Sequence, residues 1–369
     1  MSADKPLVMI SAGGTGGHLF PAEALAGILR ARGCRIMLVT DNRIGPLAET
    51  FPADEVVAIP AATPSGRSAV AGLKALVTLA RGFLQARRLV ARARPAVVVG
   101  FGGYPTVPPL LAGSLAGCKT VLHEQNGVIG RANRFLAGRV THLASSVPEL
   151  RGVPEAAKAK IVMTGNPVRP NVLDAAQIPY PAATDDAPLN LLAFGGSQGA
   201  RVISDVVPQA IGLLAPELRA RIRITQQARP EDLERVRAAY AAIGVAGEVE
   251  PFFRDLPGRI ASAHLVISRS GASTVSELAV IGRPAILVPL PGALDQDQAA
   301  NAALLADIGA ALMLPQTEFT PERLAQELAT RLCDPDGLTK AAQAAKSAGV
   351  PDAAERLADL VMRLAGAQG

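Results

Sequence analysis

One local arrangement occurs twice in this chain of 369 residues and constrains its fold more than any other feature. The apolar run Leu7–Ser11 breaks into a glycine-rich segment at residues 13–18, and a helical pattern starts at Pro21. About half a chain later, Leu189–Phe194 breaks into a second glycine-rich segment at residues 195–200, again before a helical pattern. A strand, a glycine loop and a helix in this order typically open a doubly wound α/β sheet. The repeat therefore predicts two such sheets in tandem.

Further short apolar runs alternate with helical patterns, as the strands of a parallel sheet covered on both faces require. We predict these further strands at residues 35–39, 96–100, 120–123, 160–164, 222–225, 265–267 and 285–288. The expected domains are 1–166 and 167–369, and the last helical stretch, 353–364, could complete either one. Ligands of open α/β sheets bind at the carboxyl ends of the strands, so two such domains facing across a cleft suit a transfer between two substrates.

The amino-acid composition disfavours several classes of protein. Aromatic residues make up 3% of the chain and Trp is absent, which disfavours stacking on single-stranded nucleic acid. Cys34, Cys118 and Cys333 form neither a disulfide framework nor a zinc motif, which favours a reducing compartment. The sequence contains neither a signal peptide pattern nor an apolar run long enough to span a bilayer. A soluble or peripheral protein is expected.

Charge is distributed unevenly. Residues 56–148 carry eleven Lys or Arg and one acid, Glu124, whereas the whole chain has a net charge of only +5. The stretch 67–94 holds seven basic residues and no acid, with Arg67, Lys74, Arg81 and Arg88 at every seventh position. On a helix these four would form one slowly drifting stripe beside apolar side chains. An anionic membrane surface is the expected partner, and an ordinary solvated helix is the alternative.

The first glycine loop, with Gly13, Gly14, Gly16 and Gly17 before His18, lets backbone N–H groups approach a phosphate at a helix start. It matches neither the dinucleotide fingerprint nor a P-loop. A tight turn without a ligand is the alternative interpretation.

Two more loops follow predicted strands of the first domain. Residues 101–105, which include Gly102, Gly103 and Tyr104, could form a second anion-binding loop or a plain turn. Residues 123–127 place four hydrogen-bonding side chains in succession at a strand end, which favours ligand recognition over a single buried histidine.

In the second half, residues 269–277 follow a strand with Gly and small hydroxyl residues, a pattern suited to a helix N-terminus that meets phosphate. Glu277, about one turn inside, could accept hydrogen bonds from a ribose diol. The alternative is a capped helix. Asp295 and Asp297 form a D-x-D pattern, which in other proteins holds a divalent metal, but the residues after it read as a helix start.

These motifs occur in order across about 300 residues, and together they closely resemble the MurG family of N-acetylglucosamine (GlcNAc) transferases, which convert lipid I to lipid II in bacterial peptidoglycan synthesis. The resemblance implies a GT-B fold, an inverting reaction and no cofactor or metal. It implies UDP-GlcNAc and lipid I as substrates, no nucleic-acid partner, and a peripheral place on the cytoplasmic face of the inner membrane. It also implies a role in cell shape and division.

The resemblance also implies roles for particular residues. Glu277 would hold the ribose, Gln298 the GlcNAc hydroxyls, and the backbone near Phe253 the uracil. Further donor contacts would come from Thr15, Gly16, Gly17, Asn126, Arg169, Ser197, Ala272, Ser273, Thr274, Val275 and Ser276. Gly13, Gly14, Gly102, Gly103 and Tyr104 would receive the acceptor diphosphate. Some family members carry other residues at the positions of Asp297, Ala299 and Ala300. The resemblance therefore defines the donor contacts around Gln298 less closely than the rest.

The transfer requires a base for the attacking sugar hydroxyl. His18 is the only imidazole in a glycine loop expected to face the cleft, and it is the candidate base; positioning the acceptor is its alternative role. Three other functions stay open. They are a GT-B transferase with a diacylglycerol acceptor, a UDP-GlcNAc 2-epimerase, and an inert UDP-sugar-binding subunit.

Overall fold

The computed structural model describes residues 5–13, 16–42, 45, 47–62, 69–181, 184, 187–196, 199–292 and 297–366. The chain divides into two compact units. The first comprises residues 1–169 and 351–369, and the second comprises residues 170–350. The expected second domain, 167–369, therefore differs from the observed unit mainly at its end, because the chain returns to the first unit at Pro351.

The first unit is built on a seven-stranded parallel sheet in the order β3-β2-β1-β4-β5-β6-β7. Its elements are β1 (Leu7–Ser11), α1 (Gly16–Ala31), β2 (Arg35–Thr40), α2 (Leu47–Thr50), β3 (Glu55–Ala58), α3 (Ala69–Ala93), β4 (Val97–Gly100), a 3-10 turn (Tyr104–Thr106), α4 (Val107–Leu115), β5 (Lys119–Glu124), α5 (Arg131–Ala137), β6 (His142–Ser145), α6 (Glu155–Lys158) and β7 (Ile161–Met163).

The second unit contains a six-stranded parallel sheet in the order β10-β9-β8-β11-β12-β13. Its elements are α7 (Pro170–Ala175), β8 (Leu189–Phe194), α8 (Arg201–Gly212), α9 (Pro216–Arg221), β9 (Ile222–Gln227), a 3-10 turn (Pro230–Asp232), α10 (Leu233–Ala242), β10 (Ala246–Glu250), α11 (Leu256–Ser262), β11 (Leu265–Ser268), α12 (Ala272–Ile281), β12 (Ala285–Leu287), α13 (Asp297–Ala306), β13 (Ala311–Met313), α14 (Pro321–Leu332) and α15 (Pro335–Ala348). The two doubly wound parallel sheets confirm the predicted α/β architecture.

The central strands β1 and β4 of the first sheet are buried on both faces, which explains why they read as mostly apolar runs. On β1, Val8 and Ile10 pack into one cluster and Met9 packs into the cluster on the opposite face. The first cluster also contains Leu357 and Val361 from the last helix, α16 (Ala353–Leu364), which packs on α1. The C-terminal segment thus completes the core of the first unit.

In each sheet the strand order reverses beside the first strand of the unit, between β1 and β4 and between β8 and β11. At such a switch point the loops after the two strands diverge and leave a crevice in which ligands bind. Gly13 follows β1 and Gly195 follows β8, so the described residues that begin the two glycine loops lie at these two points. Among the described residues, no helix is long and apolar enough to cross a membrane.

Candidate active site

In the first unit, three predicted loops meet at the carboxyl edge of the sheet, because β1, β4 and β5 are neighbours. Gly13 lies in the segment after β1, and Gly16 begins α1. Gly16 is buried with its Cα facing the Phe20 ring, whereas Gly17 is exposed. Gly14 and Thr15, both predicted to contact substrates, lie outside the described residues.

His18 lies in the first turn of α1 and is half-buried. Its Nδ1 is 2.9 Å from Oε1 of Gln125, which follows β5. The other side of the ring faces the loop after β4. A Cβ built on Gly102 would stand 3.4 Å from His18 Cε1, and one on Gly103 would stand 3.5 Å from Nε2. The structure thus brings together His18 and the two glycines that the sequence assigned to separate motifs.

The loop after β4 depends on glycine. Gly102 and Gly103 have φ of 86° and 75°, a region that residues with side chains rarely adopt. The Thr106 hydroxyl donates a 2.7 Å hydrogen bond to the carbonyl of Gly102 and thereby closes the turn. Tyr104, predicted to contact the acceptor diphosphate, begins the 3-10 turn and is partly exposed. Backbone N–H groups of such a loop can approach an anion closely.

The side chain of Glu124 is buried and accepts hydrogen bonds from four donors. Asn126 donates from its backbone N and from Nδ2, both at 3.0 Å. The backbone N of Gly130 donates at 3.0 Å, and Nδ2 of Asn133 donates at 2.7 Å. Burial raises the pKa of Glu124, and these hydrogen bonds oppose the rise. The carboxyl group therefore shapes the loop that carries Asn126, a predicted donor contact.

His123 is fully buried and packs against Phe101, with ring centroids 5.2 Å apart and the planes tilted by 39°. Its Nε2 is 3.0 Å from the carbonyl oxygen of Gly165. Burial lowers its pKa to about 4, so the ring is neutral at physiological pH. His123 and Glu124 thus face the interior. This corrects the expectation that the entire run 123–127 recognises a ligand. Of its four polar side chains, only Asn126 is more than slightly exposed.

Arg169 is the last residue of the first segment of the first unit. Its guanidinium carbon lies 4.0 Å from the centroid of the Phe20 ring. Its charge lowers the pKa of Glu23, although burial raises that pKa by more. The side chain therefore packs on helix α1, the helix that begins with the first glycine loop. Its predicted contact with the nucleotide sugar stays a prediction.

In the second unit, the glycine loop after β8 turns tightly. A Cβ on Gly195 would stand 2.1 Å from the backbone N of Ala200, so no side chain fits there. Gly196 and Gly199 have φ of 80° and 67°, and the N–H of Gly199 donates to the carbonyl of Gly196 at 3.1 Å. Ser197, a predicted donor contact, is outside the described part of this loop.

Helix α12 starts directly after β11 and opens with small residues. Gly271 is its N-cap, in extended conformation, and no side chain caps it. In an α-helix the N–H groups of the first turn point out of the helix end, and the helix dipole makes that position favourable for an anion. Ala272, Ser273, Thr274 and Ser276 are half-buried, whereas Val275 and Glu277 are buried. Glu277 lies on the second turn of this helix, as the sequence predicts.

The other end of α12 is fixed by Arg283. This fully buried guanidinium donates to the carbonyls of Ile281 and Gly282 at the helix C-terminus, and to the carbonyls of Ala261, Ile178 and Pro179. A cation at this end complements the helix dipole. Its partners on three segments hold α12 against α11 and the chain that follows α7. No sequence motif marks this residue.

Gln298 is the second residue of α13, and its Oε1 accepts from the backbone N of Leu290 at 3.0 Å. The hydroxyl of Ser270, just before α12, donates to the carbonyl of Gln298 at 2.8 Å. The structure thus joins the start of α13 to the start of α12. Asp297 accepts from the backbone N of Gln298 at 2.9 Å, as a residue at a helix start does, and Asp295 lies outside the described residues.

Phe253, predicted to lie beside the uracil, follows β10. Its ring is buried under the guanidinium of Arg259, at 4.2 Å from the centroid, and Arg259 also pairs with Glu248. A groove of about 710 Å³ lies near this segment, against β8, β9, β10 and α11. None of the residues that line the groove belongs to the predicted site, and the loops after β8 and β11 do not line it.

Two doubly wound sheets, each followed after its first strand by a glycine loop, are the architecture of the GT-B fold. The family model for the N-terminal domain of glycosyltransferase family 28 matches residues 8–145, and that for the C-terminal domain matches residues 190–357. A protein of Methylobacterium nodulans is 62% identical over 367 residues, 99% of this chain and 98% of the relative. That relative is named UDP-N-acetylglucosamine--N-acetylmuramyl-(pentapeptide) pyrophosphoryl-undecaprenol N-acetylglucosamine transferase.

Solved structures agree with the sequence comparison. The crystal structure of Acinetobacter baumannii MurG has a TM-score of 0.79 at 31% identity, covering 98% of this chain and 100% of that protein. The chain belongs to the MurG family. A crystal structure of UDP-N-acetylglucosamine 2-epimerase also matches, with a TM-score of 0.66 at 14% identity and coverage of 98% and 97%, which shows a shared fold alone.

Proposed function

We propose that this protein transfers GlcNAc from UDP-GlcNAc to the C4 hydroxyl of N-acetylmuramyl-pentapeptide on lipid I and so forms lipid II for the bacterial cell wall. The observation that carries the proposal is the 62% identity to a relative named for this transfer, over nearly the full length of both chains. Loops suited to phosphate and sugar binding follow the first strands of both units, as two substrates require.

The second unit is the proposed donor site. The N-terminus of α12 receives the diphosphate of UDP-GlcNAc, since the N–H groups and the dipole at the start of a helix favour an anion. Glu277 accepts hydrogen bonds from the ribose hydroxyls, and Gln298 contacts the GlcNAc hydroxyls. The hydrogen bond from the Ser270 hydroxyl to the carbonyl of Gln298 supports this assignment, because it brings the starts of the two helices together.

The first unit is the proposed acceptor site. The loops that contain Gly13 and Gly103 bind the acceptor diphosphate, and His18 removes the proton of the attacking hydroxyl. As UDP leaves, negative charge develops on its diphosphate. Helix and loop N–H groups stabilise that charge, which is the electrostatic contribution that a divalent cation makes in other transferases. The proposal therefore includes no metal or other cofactor.

Helix α3 is the proposed membrane-docking surface. Leu73, Leu76 and Leu84 are 62%, 63% and 53% exposed, and the first two lie one turn apart. The basic residues of the described helix are exposed beside them, and Arg92 pairs with Glu55 at 2.8 Å. Apolar side chains that insert in a bilayer and cations that meet anionic headgroups act together.

The chemistry of the acceptor supports this surface, because an undecaprenyl chain cannot leave the bilayer and the enzyme has to reach it there. We therefore place the protein peripherally, on the cytoplasmic face of the inner membrane, with no nucleic-acid partner. The net basic character of residues 56–148 fits an anionic lipid surface.

A related transferase with a diacylglycerol acceptor is the second candidate, because α3 would suit any lipid acceptor. Mass spectrometry of the product separates the two. The protein is incubated with UDP-GlcNAc and either a short-chain lipid I analogue or diacylglycerol. We expect the lipid I analogue to gain one GlcNAc and diacylglycerol to stay unchanged. A glycosylated diacylglycerol and an unchanged lipid I analogue would favour the second candidate.

A further inference from the structure

The side chain of Gln125 lies between the carbonyl of Phe101, which can only accept a hydrogen bond, and the ring of His18, which can either donate or accept one. Its Nε2 lies 2.8 Å from the carbonyl oxygen of Phe101, and its Oε1 lies 2.9 Å from Nδ1 of His18. Gln125 is buried, and its own carbonyl accepts a 2.7 Å hydrogen bond from the Ser146 hydroxyl. The residue is therefore fixed at both its backbone and its side chain.

The orientation of this amide follows from the carbonyl of Phe101. A carbonyl oxygen only accepts, so the amide group that faces it has to be the NH2. The amide oxygen of Gln125 then faces His18, and an oxygen without hydrogen requires a donor there. The proton of the neutral His18 ring consequently resides on Nδ1, which leaves the lone pair on Nε2.

The surroundings of Nε2 make this assignment relevant to the reaction. Nε2 points towards Gly103, at which any Cβ would stand 3.5 Å from it. The glycine loop thus keeps side chains away from the nitrogen that carries the lone pair.

We propose that Gln125 is a positioning residue for the transfer, because it holds His18 in the tautomer whose basic nitrogen is Nε2. The inference rests on the proposed function of His18 as the base. In the transfer, the O–H bond of the acceptor hydroxyl breaks and its proton moves to Nε2. The oxygen forms a bond to the anomeric carbon of GlcNAc, and the bond from that carbon to the diphosphate breaks with its electron pair leaving on UDP. Gln125 touches none of the reacting atoms.

The tautomer can be read directly by NMR. The chain has four histidines, so a protein labelled with nitrogen-15 histidine gives a simple long-range proton–nitrogen spectrum, and His18→Gln assigns the signals of His18. At about pH 8.5, where an ordinary imidazole is neutral, we expect a protonated nitrogen at Nδ1 and an unprotonated nitrogen at Nε2. The opposite pattern in the parent protein would overturn the proposal, whether or not the protein transfers GlcNAc.

Two variants connect the tautomer to turnover. Gln125→Met removes the acceptor at similar volume, so we expect the Nε2-protonated form to gain population and kcat to fall about 10²-fold, the scale of a misplaced catalytic group. KM for UDP-GlcNAc should change less than kcat. Gln125→Glu keeps an acceptor at Nδ1 and should retain the parent tautomer and a larger kcat than Gln125→Met. A Gln125→Met protein with an unchanged His18 spectrum would contradict the proposal. So would a shifted tautomer with undiminished kcat.

Discussion

Asn126 donates two hydrogen bonds to one carboxylate oxygen of Glu124, from its backbone N and from Nδ2, each 3.0 Å long. The other oxygen of Glu124 accepts from Gly130 and Asn133. Four donors converge on a buried group that carries no donor of its own when ionised. A predicted sugar-binding residue, Asn126, is thus held by a carboxyl group that the solvent does not reach.

We predict that Glu124→Gln lowers the free energy of unfolding by about 1–3 kcal/mol, because the new NH2 group would face a donor and leave buried groups unpaired. KM for UDP-GlcNAc should rise as Asn126 loses its fixed position. Urea unfolding and donor kinetics measure the two effects. Glu149→Gln makes the same change at an exposed residue and should alter neither. If Glu124→Gln changes neither the free energy of unfolding nor KM, as expected of Glu149→Gln, the hydrogen bonds to Glu124 do not hold the loop in place.

The buried His123 predicts a loss of stability in acid. Its pKa is lowered from 6.5 to about 4 in the folded protein, so between these values the unfolded chain binds the proton and the folded chain does not. Stability therefore falls as the pH drops below about 6.5, and the contribution of His123 amounts to about 2 kcal/mol between pH 7 and pH 4.5.

His123→Gln should reduce this pH dependence by that amount, since its side chain does not titrate. Urea unfolding at the two pH values is the measurement. The control is His142→Gln on the neighbouring strand β6, which removes a partly exposed histidine. An equal pH dependence in the parent and in His123→Gln would show that His123 does not contribute.

How much of this architecture the sequence predicts depends on burial. Strands β1, β4 and β8 lie inside their sheets and are apolar except for Ser11 and Asn190, and the sequence located them within a residue. The strands that it did not locate are mostly at sheet edges. Every residue of β3 is at least partly exposed, and only Val249 is buried on β10, so neither strand carries a continuous apolar run.

The candidate site also has features that the sequence shows and contacts that it does not. The glycine loops are visible in sequence because backbone with positive φ after a strand favours glycine, as at Gly102, Gly103 and Gly196. The partners of His18 and Glu124 are not visible, because Gln125 and Asn133 lie 107 and nine residues from the groups they bind. Arg283 is bound to carbonyls of segments up to 105 residues away, and no local pattern encodes such contacts.

The donor assignment predicts a specific kinetic defect for Glu277. Glu277→Ala should lower kcat/KM for UDP-GlcNAc by the equivalent of about 1.5–3 kcal/mol, the scale of a hydrogen bond to a charged group. Steady-state kinetics with varied donor measure it. Glu322→Ala, an exposed glutamate in the first turn of α14, serves as the control. Parent-like donor kinetics in a folded Glu277→Ala protein would remove Glu277 from the site.

The docking surface predicts that charge reversal on α3 releases the protein from lipid. With Lys74, Arg81 and Arg88 changed to Glu, sedimentation with anionic vesicles should fall sharply, because each basic residue near the surface contributes about 1 kcal/mol. Turnover of a water-soluble acceptor analogue should stay near that of the parent. The same change at the exposed residues Lys5, Lys340 and Arg363 should leave vesicle binding intact. An equal loss of vesicle binding in both triple variants would show that binding depends on the overall charge and not on α3.

The most direct test of the account is the amount of UDP released per GlcNAc transferred, measured with a short-chain lipid I analogue in the presence of EDTA. If protein groups alone catalyse the transfer, we expect one UDP per GlcNAc transferred and no UDP release when the acceptor is omitted. We also expect the activity to survive the chelator, because the dipoles of α12 and of the glycine loops stabilise the leaving diphosphate. UDP release without an acceptor, or turnover that EDTA abolishes and magnesium or manganese restores, would contradict it.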